Sequence, residues 1–457
     1  MIFVESAEEL LLFLKEFRTR ESIVIPVFSD TEMHPAINTL SLLYIRFDHE
    51  ESYILSFNHN EAVSLPPEAV ESLDTSQIIY TPFAAALCHV LRLKQGPLDL
   101  RGLEYFGAGE YIEPSKFYTS SQRAFYARLH QHTNVNSALP LMVLVEYLTN
   151  YANHLSAVLE MNRHYIGTTG FAFHNDVVRP ACTFMESSGI HVERDAFIKK
   201  YGERSERVLQ ESLAFTEYNP YTLAGRVSNK FGGISFTSLN KHDGTRKMFT
   251  SRFSDGAMVL IDFESFHLRL IGQLMNYQLP PESLHDYFGR QYFQKDTLTP
   301  LEYDESKRIT FSLLYGDSTD ADIPFFQKAQ EYVRELWESA TATGMVVSPT
   351  GRRVALERIE SPSPSKLFNY IIQLREMEVG MQSILNLMPT FASCRSKVVL
   401  YTYDSILIDF CKADGHELLH KTISTLEQNS TYPVRIYAGK SYDSLRNITA
   451  GINGIAK

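Results

Sequence analysis

The sequence predicts an α/β (α+β) chain of two regions. Three observations carry this. Apolar, β-rich runs bounded by polar turns recur in both halves of the 457 residues. Segments with helical spacing of apolar side chains lie between them. Hydrophobic residues at 44% and charged residues at 21% are ordinary globular values, so each half can bury a sizeable core. The net charge of −11 excludes a general basic coat that binds nucleic acid by phosphate neutralisation, although not a local basic groove.

In chain order, Ser6 with Glu9 three residues on is a capping-box pattern, and Leu10, Leu11, Leu14 and Phe17 continue at helical spacing. IVIPVF (23 to 28), LSLLYIRF (40 to 47) and SYILSF (52 to 57) read as a strand meander, with a polar turn at 48 to 51. QIIYTPF leads into a helix at about 84 to 93, and a long apolar helix covers 138 to 161. From Val177 the texture becomes a helix, a Ser-Ser-Gly turn and a charge-rich helix, so the domain boundary is expected near 165 to 177. Later strands are MVLIDF (258 to 263), VVLYTYD (398 to 404) with SILIDF, and PVRIYA (433 to 438). Long helices are expected at 304 to 340 and 362 to 388. Cys88, Cys182, Cys394 and Cys411 show no Cys-x-x-Cys spacing, so a disulfide framework or zinc cluster is not expected, and the thiols should be reduced and mostly buried. The acidic N-terminal stretch and short apolar runs predict no membrane partner and a cytoplasmic location.

Asp262 and Asp404 each follow an apolar strand. One strand-end Asp is usually a cap or turn residue. Two on neighbouring strands can bridge a pair of Mg2+ ions about 3.5–4 Å apart for phosphoryl displacement. Lys307, Phe311 and Tyr315 recur in steps of four and share one helical face. Alone, such a stripe is usually a core helix with a snorkelling cation. From Arg226 to Arg252 there are six Lys/Arg (Arg226, Lys230, Lys241, Arg246, Lys247, Arg252) against Asp243 alone, interleaved with Gly232, Gly233 and small hydroxyl residues. A solvated face is the plain alternative, but this tract favours a loop that binds duplex phosphates.

Taken together, VLIDFESFHLRLIG resembles motif A of the DNA polymerase I family (family A), KRITFSLLYGDS its motif B and YTYDSILI its motif C. Further segments resemble the same family: YTLAGRVSNKFGGISFTSLNKHDGTRKMFTSRF (221 to 253) with the motif Arg at Arg226 and the following Asn at Asn240, the hairpin GMVVSPTGRRVAL, FNYIIQ with Asn369 and Gln373, and RIYAGKSYDSL with Tyr442 in place of a Trp. The ordered set spans about 177 to 446. The resemblance implies a right-hand polymerase at 171 to 457, with palm at 177 to 275 and 390 to 457, fingers at about 276 to 345, and a reduced thumb at about 194 to 218. It implies a template-directed DNA polymerase in which Asp262 and Asp404 hold two Mg2+ ions (Mn2+ substituting). Lys307, Phe311, Tyr315 and His267 would bind the nucleotide. Arg226, Asn240, Lys241, Arg246, Asn369, Gln373 and Tyr403 would bind the DNA. The implied partners are primer-template DNA and dNTPs.

Departures from the family are specific. The motif A Glu is His267, motif C reads Tyr403-Asp404-Ser405, and a motif B cation is Tyr303. Only about 30 residues separate GIHVERD from AGRVS, where a long thumb is usual. Fewer phosphate contacts imply low processivity and a processivity or replisome factor as partner. That compactness suits a phage, plasmid or mobile-element replication enzyme. Residues 1 to 170 resemble an RNase H-like 3′–5′ exonuclease, with Asp30 and Glu32 as its first Asp-x-Glu motif. Ala86 stands near the place of the second-motif Asp, and no Tyr-x-x-x-Asp is evident between 120 and 160, so this region is expected to be non-proofreading. His267 and Ser405 leave a single-subunit RNA polymerase or ribonucleotide-tolerant polymerase as one alternative. A catalytically idle nucleic-acid-binding scaffold is another.

Overall fold

The Ser6 hydroxyl accepts from the Glu9 backbone N–H (3.3 Å) and the Glu9 carboxylate accepts from the Ser6 N–H (3.0 Å). Helix α1 (Ala7–Phe17) follows this cap with Phe13, Leu14 and Phe17 buried. The computed structural model describes residues 1–47, 51–91, 96–117, 136–315 and 322–451. Its contacts divide the chain into two units, Met1–Gly189 with Arg194–Tyr221 and Asn229–Ser235, and Ile190–Glu193 with Thr222–Ser228 and Phe236–Lys457.

The first unit is built on a six-stranded sheet of β1 (Ile2–Val4), β2 (Ser22–Phe28), β3 (Leu40–Arg46), β4 (Ser52–Ser56), β5 (Ile79–Thr81) and β6 (Leu98–Asp99), in the order β1-β4-β3-β2-β5-β6. β2, β3 and β4 form the expected antiparallel meander, and β5 and β6 add in parallel beside β2. β1 was not legible in the sequence; it adds to the far edge, parallel to β4. Successive side chains of β2 go to opposite faces, as a period of two requires. Val24 packs with Phe13, Phe17 and Leu43, whereas Ile23 and Ile25 pack with Leu144, Leu148 and Tyr151 of the long helix Leu141–Asn162. A short helix, Ala84–Val90, follows β5.

The boundary expected near 165 to 177 lies inside this unit, in a run of helical turns that ends at Gly189. The segment expected to be a reduced thumb forms the short helices Arg194–Tyr201 and Arg204–Val208 and also belongs to the first unit. The cause is contact with residues distant in sequence: Arg207 pairs with Glu32 at 2.7 Å and His34 Nε2 lies 2.9 Å from the Thr216 carbonyl, while Phe197 and Val208 are fully buried.

The second unit carries a five-stranded antiparallel sheet of β7 (Ala257–Phe263), β8 (Lys397–Tyr401), β9 (Ser405–Phe410), β10 (Val434–Gly439) and β11 (Arg446–Asn447), in the order β8-β9-β7-β10-β11. The strand expected over 398 to 404 ends at Tyr401. Instead of one helix over 304 to 340, α2 (Pro300–Tyr315) and α3 (Pro324–Thr343) are separate helices, with Pro324 in the first turn of the second, where its missing N–H costs nothing. Residues 316–321, with the Gly of the Tyr-Gly pair, lie outside the described residues. Helix α4 (Pro364–Phe391) buries Phe368 and Ile372 in a cluster with Leu314, Phe325 and Leu268. All four cysteines are free; Cys182 and Cys411 are buried as expected, but Cys394 is half-buried and Cys88 exposed. Among the described residues no helix is long and apolar enough to cross a membrane.

Gly380 lets α4 approach β8, because a Cβ there would stand 2.3 Å from the Tyr401 hydroxyl and 2.6 Å from its Cζ. Tyr401 is fully buried. Gly380→Ala is therefore expected to destabilise the protein by about 1–3 kcal/mol, read as a lower urea midpoint. Adding Tyr401→Phe, which removes the nearest atom, should recover part of the loss. An unaltered midpoint for the single variant would mean the helix is free to retreat.

Candidate active site

Antiparallel register places Asp262 on β7 between Ser405 of β9 and Arg435 of β10. β8 and β9 are joined by the two-residue loop Tyr403-Asp404: Thr402 N–H donates to the Ser405 carbonyl at 2.9 Å, and their hydroxyls meet at 2.6 Å. Tyr403 takes a left-handed φ of 71°, an uncommon conformation for a side chain of this size. Asp404 is thus the tip residue of a hairpin and not, as expected, the end of a strand. Its carbonyl accepts from the Phe263 N–H at 2.9 Å, which holds it beside Asp262.

Both carboxylates are shifted by their surroundings. Burial first, and the Asp404 charge second, push the Asp262 pKa up to about 7, against the opposing charges of Arg435 and Lys241. Asp404 reaches solvent at the hairpin tip, yet protein crowds enough of it that lost solvation raises its pKa, followed by the charge of Glu376. Among the described residues no group of three or more Asp, Glu, His or Cys side chains forms a closed metal cage. Two crowded carboxylates at an open cavity nevertheless fit a hard divalent cation that keeps water or substrate oxygens in its shell.

The cavity above them measures about 500 Å³. Helix α2 supplies one wall. Lys307, 41% exposed, holds its ammonium 4.5 Å from the centre of the Tyr303 ring and 3.6 Å from Asp304. Phe311 is 44% exposed and lies nearly parallel to Tyr315, with centroids 6.2 Å apart. The predicted face therefore exists, and exposure of its cation and first ring distinguishes it from a core stripe. Tyr315 is more enclosed, and its hydroxyl lies 3.3 Å from His267 Nδ1.

Sequence reasoning missed Glu376. This carboxylate on α4 is 1% exposed, lies 2.9 Å from His267 Nε2 and accepts from Arg226 Nε at 2.6 Å. Burial alone would raise its pKa, but His267 and Arg226 together outweigh that and hold it below the ordinary carboxylate value. Arg226 also lies 4.7 Å from the centre of the Tyr403 ring. It is thus engaged inside the site, although a contact with duplex was expected of it. The available signal was an acid on a long helix with Ile372 and Val379 one turn before and after it, a face where a carboxylate normally needs a partner.

The remaining candidates are more dispersed. Asn369 and Gln373 precede Glu376 on α4, half-exposed, but do not line the cavity. Asn240 is exposed and its side chain accepts from the His242 N–H at 2.8 Å. Lys241 is exposed, and its charge reaches Asp262. Arg246 lies 4.2 Å from the centre of the Tyr442 ring. Within the first unit, Asp30 accepts from the backbone N–H groups of Glu32 (2.8 Å) and Met33 (3.2 Å), while Glu32 pairs with Arg207. Asp30 and Ala86 line the same cavity of about 560 Å³, so the position of the expected second-motif Asp is occupied there by a methyl group.

No protein-family model matches the sequence, and no curated protein matches it. Solved structures do match its fold. One, described as the POL domain of Pol1 from M. smegmatis in complex with DNA primer-template and dNTP, aligns over 97% of this chain and 100% of that one, with a TM-score of 0.73 and 15% identity. The chain therefore has the fold of a polymerase domain.

A carboxyl whose pKa is raised on folding adds stability below its unfolded pKa of about 4 and loses it as pH rises through the folded value, here about 7. Without divalent cations at pH 8, Asp262→Asn should therefore melt higher than wild type, by about 2–4 °C for each kcal/mol relieved. The gap should close towards pH 4. Equal melting temperatures at pH 8 would deny the crowding.

Proposed function

We propose that this chain is a template-directed DNA polymerase of the DNA polymerase I family, adding dNTPs to a primer 3′-OH. The observation that carries the reading is the pair Asp262 and Asp404, side by side on the floor of a cavity whose wall presents Lys307 and Phe311. The matched polymerase domain is itself in complex with primer-template and dNTP, which supports the same partners here.

Asp262 and Asp404 are the side chains that would hold two Mg2+ ions. When bound, such ions lower the pKa of an attacking hydroxyl and stabilise charge on a leaving pyrophosphate. Lys307 would take the triphosphate, with Phe311 and Tyr315 against base and sugar. His267, fixed between Tyr315 and Glu376, would stand near the sugar and bear on ribonucleotide discrimination. Asn240, Lys241, Arg246, Asn369, Gln373 and Tyr403 would face primer and template, with Arg226 steadying Tyr403 and Glu376. The first unit, whose meander with two added parallel strands supports the RNase H-like resemblance, would be a non-proofreading relative of an exonuclease: Asp30 and Glu32 are occupied by turn and ion-pair contacts.

Primer extension tests the reading. Asp404→Ala should lose at least about a thousandfold in rate, on the scale of metal-assisted catalysis, with unchanged circular dichroism. Undiminished extension refutes the assignment, as would failure of the wild type on a matched primer with Mg2+ or Mn2+. The histidine in the motif A Glu position favours a second reading, a ribonucleotide-tolerant enzyme. If His267 carries sugar choice, His267→Glu should raise the dNTP over NTP preference by about tenfold or more. An unchanged ratio would place sugar choice elsewhere.

A further inference from the structure

Besides Lys307 and Arg226, the cavity holds a cation that the motif pattern does not contain. Arg435 on β10 pairs across the ladder with Asp262, so both side chains leave the sheet on the same face. Its guanidinium bonds Glu264 and lies 3.4 Å from the Tyr303 hydroxyl. The Tyr303 ring carries the Lys307 ammonium 4.5 Å from its centre. Two cations from different elements thus bracket one tyrosine, and both line the cavity that contains Asp262 and Asp404. His285, on the same wall, responds to both: burial first, then the charges of Lys307 and Arg435, push its pKa down to about 4. Tyr303 is also the residue that stands where the motif B pattern would have a cation.

We propose that Arg435 is a second polyphosphate-binding residue, acting with Lys307 on the incoming nucleoside triphosphate, and that Glu264 holds the guanidinium in place before the ligand arrives. The identity of the nucleotide rests on the polymerase reading above; the affinity for an anion chain does not. A guanidinium presents a planar fork of donors that suits paired phosphate oxygens, and the lysine acts as a point charge. Arg435 is 32% exposed and Glu264 15%, so the pair stands at the cavity wall, where a multiply charged ligand can compete for the guanidinium.

The probe is inorganic tripolyphosphate, titrated calorimetrically into full-length protein in metal-free buffer. Arg435→Gln should weaken binding by about tenfold to a hundredfold, the range for charge-assisted hydrogen bonds. Arg435→Lys should recover part of the loss, and Glu264→Gln, which leaves the guanidinium present but no longer held, should weaken binding by less than Arg435→Gln does. In primer extension Arg435→Gln should raise KM for dNTP by a similar factor, with a smaller effect on kcat. Wild-type protein that binds no tripolyphosphate, or an Arg435→Gln variant with wild-type affinity and KM, overturns the assignment and leaves Arg435 as the charge partner of Glu264. Arginine-dependent tripolyphosphate binding in a protein that extends no primer sustains the anion site and sinks the polymerase reading. Extension that is indifferent to Arg435 does the reverse.

Discussion

The site depends on the register of β7 against β9. With Asp262 opposite Ser405, the next residue of the hairpin tip is Asp404, and two carboxylates are forced side by side where their charges repel. A slip of one residue would turn Asp262 to the opposite face of the sheet and abolish the pair. The register is specified from both sides, since β10 pairs with the same strand and sets Arg435 against Asp262. Strain is admitted at the two points where the chain must turn sharply beside the carboxylates, Tyr403 with φ 71° and Ser265 with φ 53°, and the surrounding ladder holds both.

Charge around the pair is distributed by burial more than by number. Glu376 is sealed from solvent, but two donors hold it ionised, and its field then acts on Asp404 and Tyr315. Arg435 and Lys241 oppose the repulsion at Asp262. In consequence the acidic total of the chain says little about this cavity, where cations and carboxylates face each other at short range with weak screening.

Local pattern made much of the fold legible. The capping box at Ser6, the meander of the first unit, the strand holding Asp262 and the stripe Lys307, Phe311, Tyr315 each need information from only a few residues. What stayed hidden depends on partners distant in sequence. Glu376 meets Arg226 across 150 positions and Arg435 meets Tyr303 across 132, and no periodicity records such contacts. β1 is three residues long and is a strand only because β4 offers it an open edge. The split of the expected 304 to 340 helix has a local signal in Pro324, which sits in the first turn of the second helix.

The first unit shows why an acidic motif is informative only with its surroundings. Asp30 and Glu32 keep the spacing of a metal-binding pair, but backbone donors occupy one and a guanidinium the other. Asp99 of the same unit is fully buried, and although burial opposes its charge, His174, Arg179 and Tyr221 hold its pKa far below the usual carboxylate value. Those carboxylates are satisfied by protein. Asp262 and Asp404 differ: burial raises the pKa of both, with the charge of a second carboxylate as the next cause, Asp404 for the former and Glu376 for the latter. The sign of the shift does not by itself mark a site, because burial also pushes Glu186 of the first unit up to about 7 while its carboxylate accepts from the Tyr218 N–H; the surroundings decide, and Asp262 and Asp404 share one cavity with Lys307, Phe311 and Arg435.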